Sequence, residues 1–174
     1  MGAAKLLSEN EHAETIGFGG GCHWCTEAVF VSLRGVEAVE QGWIRSAPPH
    51  DAESEAVRVR FRPEVIGLRT LVEIHLLTHA STSDHSMRGK YRSAVYTTSA
   101  EQHARAERVL AELRAEAGDA YVTEAMPLAS FRLNDESLLD YYRTRPDAPF
   151  CRTYIDPKLA ELRRRFARHV VDDA

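Results

Sequence analysis

The sequence predicts an α/β (α+β) fold, a two-layer sandwich with a ferredoxin-like βαββαβ core and extra C-terminal helices. Two observations carry this. Stretches of period-two alternation exchange with stretches of helical period in the order strand, helix, strand, strand, helix, strand, and the C-terminal third then turns to helical spacing. The chain is 174 residues long, enough for one well-packed domain, so 1–174 is expected to be a single domain with a poorly ordered segment at 1–14.

Each element has a local reason. The apolar run Ile16 to Phe18 reads as a strand leading into three glycines, and "WCTEAVFVSLRG" then spaces Trp24, Ala28, Val29 and Leu33 as a helix stopped at Gly35. "VEAVEQGWI" reads as a strand. After the loop "RSAPPHDAE", "EAVRVRF" alternates, with Glu55, Val57, Val59 and Phe61 on one face and Ala56, Arg58 and Arg60 on the other. Leu68, Leu71, Val72 and His75 recur at helical spacing, and "YRSAVYTT" reads as the fourth strand. Ser99 and Gln102 form the signature of a capping box, and Gly118 ends the long helix between them. One or two strands are expected between Tyr121 and Leu133, and Asn134 is expected to cap a short helix through Tyr142. Pro157 suits the first turn of a last helix with the stripe Leu159, Leu162, Phe166 and Val170. Arg163, Arg164 and Arg165 read as its solvated face.

Composition narrows the function. Hydrophobic residues make up 44% and charged residues 28%, and the formal charge of −4 argues against general nucleic-acid affinity. No run of about 20 apolar residues or signal-peptide layout is present, so the expectation is a cytoplasmic protein without a membrane partner. The charged helix faces lead to the expectation of a monomer. Three cysteines, Cys22, Cys25 and Cys151, do not suggest a structural disulfide framework and leave redox catalysis, metal binding or burial.

Cys22 falls at a strand-to-helix turn, where unpaired N–H groups and the helix dipole favour a thiolate, and it opens a Cys-X-X-Cys pair. Zinc is the competing use of this pair. His23 is the wrong neighbour for it, and no second ligand pair completes a tetrahedron, so the metal expectation is none. Glu55 lies on the apolar face of its strand, where desolvation would let a carboxyl carry a proton, unless the strand begins only at Ala56. Tyr91 stands where a hydroxyl reaches a site at the sheet end. Tyr141 and Tyr142 have the spacing of packing residues.

In the order "GFGGGCHWCTEAVF", "EAVRVRF", "GKYRSAVY" and "PFCRTYIDPKLAELRRRF", the chain resembles the A-type peptide methionine sulfoxide reductases from about Ile16 to Phe166. That resemblance implies reduction of the S epimer of methionine sulfoxide, free or in oxidised proteins. It assigns Cys22 as nucleophile, Glu55 as proton donor, Tyr91 as hydrogen-bond donor and Trp24 as the wall for the substrate methyl, with Tyr141 a further substrate contact. A Cys22 sulfenic acid would condense with Cys25 or Cys151, and thioredoxin or another dithiol would reduce the disulfide, with no bound cofactor. Cys25, one helical turn away, is preferred over Cys151, whose segment "APFCR" reads as a loop able to fold over the site.

Three substrate positions depart from the family pattern. His23 stands for a phenylalanine, Trp43 for a tyrosine and Ser86 for an aspartate, with Asp84 a substitute only if its loop bends inward. These departures keep two alternatives open. One is a non-catalytic redox sensor or sulfoxide-binding module, and the other a thioredoxin-like disulfide oxidoreductase using Cys22 and Cys25.

Overall fold

The computed structural model describes residues 12–118 and 120–172. Of the N-terminal segment expected at 1–14, residues 1–11 lie outside the described residues, and Glu14 already belongs to the first strand.

Among the described residues six strands form one sheet: β1 (Glu14–Gly19), β2 (Val36–Arg45), β3 (Ser54–Phe61), β4 (Ala94–Thr97), β5 (Glu124–Pro127) and β6 (Ser130–Leu133). The helices are α1 (His23–Val31), α2 (Leu68–Thr78), α3 (Ala100–Ala117), the single turn α4 (Tyr141–Thr144) and α5 (Asp156–Phe166). The strand order β5-β4-β1-β3-β2-β6 contains the 4-1-3-2 arrangement of a ferredoxin-like core, with β1 antiparallel to both β3 and β4. β5 adds in parallel to β4, and β6 adds antiparallel to β2.

The alternation read in β3 is realised. Val57, Val59 and Phe61 are wholly buried in the main core with residues of α1, α2, α3 and α5, which gives the two layers. The opposite face carries a smaller cluster of Ile44, Ala56, Ala94, Tyr96 and Met126. β3 begins at Ser54, so Glu55 lies inside the strand and is buried, not solvated at its end. Phe18 and Phe30 stack at 4.4 Å between centroids and clamp α1 onto β1.

The long helix ends as its sequence requires. Ser99 Oγ accepts the Gln102 N–H at 3.1 Å, and Gly118 closes it in the left-handed region at φ 72°. The capping box is only half closed, because Gln102 Oε1 accepts the Thr98 N–H, one residue before the cap.

Three local expectations change. Asn134 caps no helix; Asp135 accepts the Ser137 N–H at the head of a short 3₁₀ turn, leaving the Asn134 side chain free to reach the site. "APFCR" is not a loose loop: Cys151–Ile155 is a π-helical turn running into α5, and Cys151 is 0% exposed within the core. Val170 lies past the end of α5 and is buried where it bridges Leu33. Arg164 and Arg165 pair with Glu161 on the exposed face of α5. Among the described residues no helix is long and apolar enough to cross a membrane.

Candidate active site

The end of β1 delivers Gly19, Gly20 and Gly21 to the start of α1, where Cys22 is the N-cap residue. Gly20 has φ +149°, and a Cβ there would overlap the His79 ring, so the turn passes closely under that side chain. His79 is fixed in turn by Ser93 Oγ at 2.8 Å from Nε2, and burial holds it neutral, lowering its pKa to about 4. A cavity of about 400 Å³ opens on Cys22 and Cys25, walled by His79, Met87, Tyr91, Phe150, Tyr154 and Lys158.

The Cys22 carbonyl accepts the N–H groups of Cys25 and Thr26 at 3.1 and 3.2 Å, starting the helix. The Cys25 thiol donates a hydrogen bond to the Cys22 sulfur and is the largest influence on it, lowering its pKa to about 7. Burial and the Glu55 charge oppose this; the Trp24 N–H and His23 assist. Cys25 itself is driven far upward by the same hydrogen bond and by burial, so of the two thiols Cys22 is the one that ionises first. Burial also raises Cys151.

Glu55 sits directly across from Trp43 in the β2–β3 register. Its Oε1 lies 3.0 Å from His23 Nε2, while its buried Oε2 makes no hydrogen bond among the described residues. Tyr91 borders the cavity, and burial followed by the Glu55 charge raises its pKa. Lys90 stands beside Tyr91 and is raised first by the hydrogen bond to that hydroxyl.

Trp24 stacks face to face on Tyr141, 4.0 Å apart and 2° from parallel, with Phe150 edge-on to both rings. Its buried Nε1 has no hydrogen-bond partner among the described residues. The stack is anchored by Glu27, whose two oxygens accept the N–H groups of Asp140 and Tyr141 at 3.0 and 3.1 Å.

Cys22, Cys25, Glu55, Tyr91 and His23 are thus brought together; of these Cys22, Cys25 and Tyr91 line the cavity, and Trp24 and Tyr141 stack beside it behind Phe150 without lining it. Trp43 packs its ring edge against His23 at 5.4 Å between centroids rather than lining the cavity. Ser86 is exposed at the start of a 3₁₀ turn whose neighbours His85 and Met87 line the cavity in its stead. Asp84 is exposed and lines clefts with Arg114 and Arg88 instead of this cavity. Among the described residues no three His, Cys, Asp or Glu side chains converge as metal ligands, and both His23 nitrogens already face protein groups.

Sequence reasoning missed Glu27, Gln41 and Asn134. A carboxylate in the second turn of a nucleophile helix was the available signal for Glu27. Gln41 and Asn134 are 93 residues apart, and only the β2–β6 pairing joins them.

The family model for peptide methionine sulfoxide reductase matches residues 14–170. The chain is 35% identical over 162 residues to the peptide methionine sulfoxide reductase MsrA of Deinococcus radiodurans, covering 84% of this chain and 79% of that one. Its fold is similar to that of Mxr1 from Saccharomyces cerevisiae in reduced form, with a TM-score of 0.69, 20% identity, and coverage of 83% of this chain and 92% of that one. Mxr1 in complex with Trx2 aligns at a TM-score of 0.60 and 20% identity over 72% of this chain and 84% of that one. A family match over residues 14–170, with relatives such as the Deinococcus radiodurans enzyme at 35% identity over most of both chains, shows that this chain belongs to the peptide methionine sulfoxide reductase family.

Proposed function

We propose that this protein reduces methionine-S-sulfoxide, free or in oxidised proteins, to methionine, with Cys22 as nucleophile and Cys25 as the resolving thiol. Methionine sulfoxide reduction is the activity its family carries, and the chain is an oxidoreductase of that type. The observation that supports the assignment of roles is Cys22 itself. Its thiol is brought to about 7 chiefly by the Cys25 thiol, at a helix N-terminus, facing a cavity and close to a buried carboxyl with one oxygen unpartnered among the described residues.

The Cys22 thiolate attacks the sulfoxide sulfur as the oxygen is protonated. Thiol and sulfoxide become Cys22 sulfenic acid and thioether, so sulfur in the substrate is reduced and Cys22 oxidised by two electrons. Glu55 is the proton donor and Tyr91 a hydrogen-bond donor to the oxygen, while Trp24 with Tyr141 forms the apolar wall for the methyl group. The Cys25 thiol then attacks the Cys22 sulfur; a disulfide forms and water leaves. An external dithiol takes over the disulfide and restores both thiols. The complex of Mxr1 with Trx2 supports a thioredoxin-like protein in that role.

Cys25 is favoured over Cys151 because it lies one helical turn from Cys22 and is the largest influence on that thiol, whereas Cys151 is enclosed by the core. The test is turnover of separated S and R epimers with dithiothreitol as reductant. Methionine release from the S epimer alone is the expected result. Release from neither epimer, with Cys22 still alkylated readily at neutral pH, would overturn the reading and leave a sensor.

A further inference from the structure

His23 is 3% exposed, and protein groups face both of its ring nitrogens. Nδ1 lies 3.1 Å from the Gly42 carbonyl oxygen, which only accepts, so Nδ1 carries a hydrogen. Nε2 faces Glu55 Oε1 at 3.0 Å and the Asn134 amide nitrogen at 3.1 Å. The Asn134 amide cannot turn its oxygen to the ring without loss. Its Oδ1 accepts the Asp135 N–H at 2.9 Å, and its Nδ2 donates to Gln41 Oε1 at 2.7 Å. Gln41 is oriented by donating to the Leu138 carbonyl at 3.0 Å.

Asn134 therefore presents a donor to Nε2, which the neutral imidazole can accept and the imidazolium cannot. With the imidazole neutral, the hydrogen in the 3.0 Å contact is on Glu55; with the imidazole charged, the same hydrogen is on Nε2 and Glu55 is a carboxylate. One proton occupies the contact in both forms, and Oε2 is the oxygen of Glu55 without a partner among the described residues.

We propose that His23 and Glu55 act as one proton-holding pair, with His23 a positioning residue that works through Glu55 and with Gly42, Asn134 and Gln41 fixing its ring. The inference rests on the sulfoxide reduction proposed above. The proton in the pair is the one Cys22 gives up on becoming a thiolate. It passes to the sulfoxide oxygen as the Cys22 sulfur attacks, leaving Cys22 sulfenic acid, thioether and a pair short of one proton. Disulfide formation releases water without reloading the pair. When the external dithiol reduces the disulfide, the regenerated Cys22 thiol returns its proton to the pair and the cycle closes.

In a coupled pair of this kind the proton comes off at a pH that belongs to the pair and not to either residue. The groups facing it are Cys22 on α1, and Lys90 and Tyr91 from the segment before β4. From β2 and the segment after β6 it meets the neutral Gly42, Trp43 and Asn134, with Arg132 lying over the outer side of Trp43 at 5.5 Å. Burial alone would push the His23 imidazole down, but Glu55 outweighs it and carries it above its ordinary value.

Two measurements test the pair. The first is kcat/KM against pH for the parent, His23→Phe and His23→Gln, with dithiothreitol. The high-pH fall is expected to move down by about one pH unit or more in His23→Phe, roughly a ten-fold loss on that limb and a smaller one below neutrality. An unchanged high-pH fall in both variants would overturn the pair. The second is NMR titration of the ¹⁵N-labelled His23 ring in the parent, Glu55→Gln and Asn134→Ala. Nδ1 should stay protonated throughout, and Nε2 should titrate at lower pH once Glu55 is replaced. An Nε2 titration indifferent to Glu55→Gln would overturn the pair even if the enzyme reduces sulfoxides. Absence of turnover in the parent would overturn the proposed activity, while the NMR titration would still decide the pair.

Discussion

Replacing Cys25 by alanine removes the hydrogen bond that does most to lower Cys22. The thiol of Cys22 stands at about 7, against an ordinary 9.0. A return to that ordinary value is a shift of about two units, roughly 2.7 kcal/mol of differential stabilisation of the thiolate. At pH 7 the thiolate fraction then falls from about one half to about 1%, and burial, which already works against the thiolate, pushes in the same direction. Cys25→Ser keeps a hydroxyl donor one turn away and should recover most of the shift while leaving nothing to resolve a sulfenic acid. The assay is the pH dependence of Cys22 alkylation by iodoacetamide, with absorbance near 240 nm as a second probe of the thiolate. The midpoint is the quantity to read rather than the rate, because a thiolate of higher pKa is intrinsically more nucleophilic and masks part of its loss in population. A midpoint in Cys25→Ala within about half a unit of the parent's would refute the argument. It would mean that the helix N-terminus and the Trp24 N–H hold the thiolate without Cys25.

Three further outcomes follow from the geometry. Glu27→Ala leaves the Asp140 and Tyr141 N–H groups without their acceptor and should cost about 1–3 kcal/mol in urea unfolding, with altered Trp24 fluorescence as the Tyr141 stack loosens; an unchanged midpoint would show that the stack holds itself. Gly20→Ala places a Cβ into the His79 ring at φ +149° and should displace the nucleophile turn, lowering sulfoxide turnover and melting temperature together, so normal values for both would contradict the close approach. His79 is held neutral to about 4 in the folded chain, whereas the unfolded chain takes up this proton near 6.5. Unfolding therefore binds a proton in that window, and stability should fall by up to about 3 kcal/mol as pH drops from 6.5 to 4. His79→Gln should flatten that part of the curve in equilibrium unfolding, and an identical slope would discount His79 as its source.

Much of the site was legible one residue at a time. The triple glycine before Cys22 announces a tight strand-to-helix turn, and period two in "EAVRVRF" assigns Glu55 to the core face once the strand is known to start at Ser54. These are local statements, and local geometry decides them. The loop between α2 and β4 was less readable, because the side of the chain on which Asp84, Ser86 and Met87 emerge depends on a 3₁₀ turn tied down by distant partners. Arg88 holds that turn by donating to the Gly20, Ala80 and Ser83 carbonyls. Asn134 has the residue type of a helix cap, and nothing in its neighbourhood indicates that its amide is needed 111 residues away at His23.

By itself, the sequence determined the order of elements, the core faces and the residue types of the site, since backbone propensity and hydrophobic period act over a few neighbours. Tertiary structure alone decided which of those groups touch. Strand pairing sets Glu55 opposite Trp43, and the helix start carries His23 between Gly42 and Glu55. It also decided that Cys151 is enclosed by the core. The physical reason is that a proton's place, or a thiol's accessibility, is set within about 3 Å by donors, acceptors and excluded water, and the groups that supply these come from strands and turns far apart in the chain.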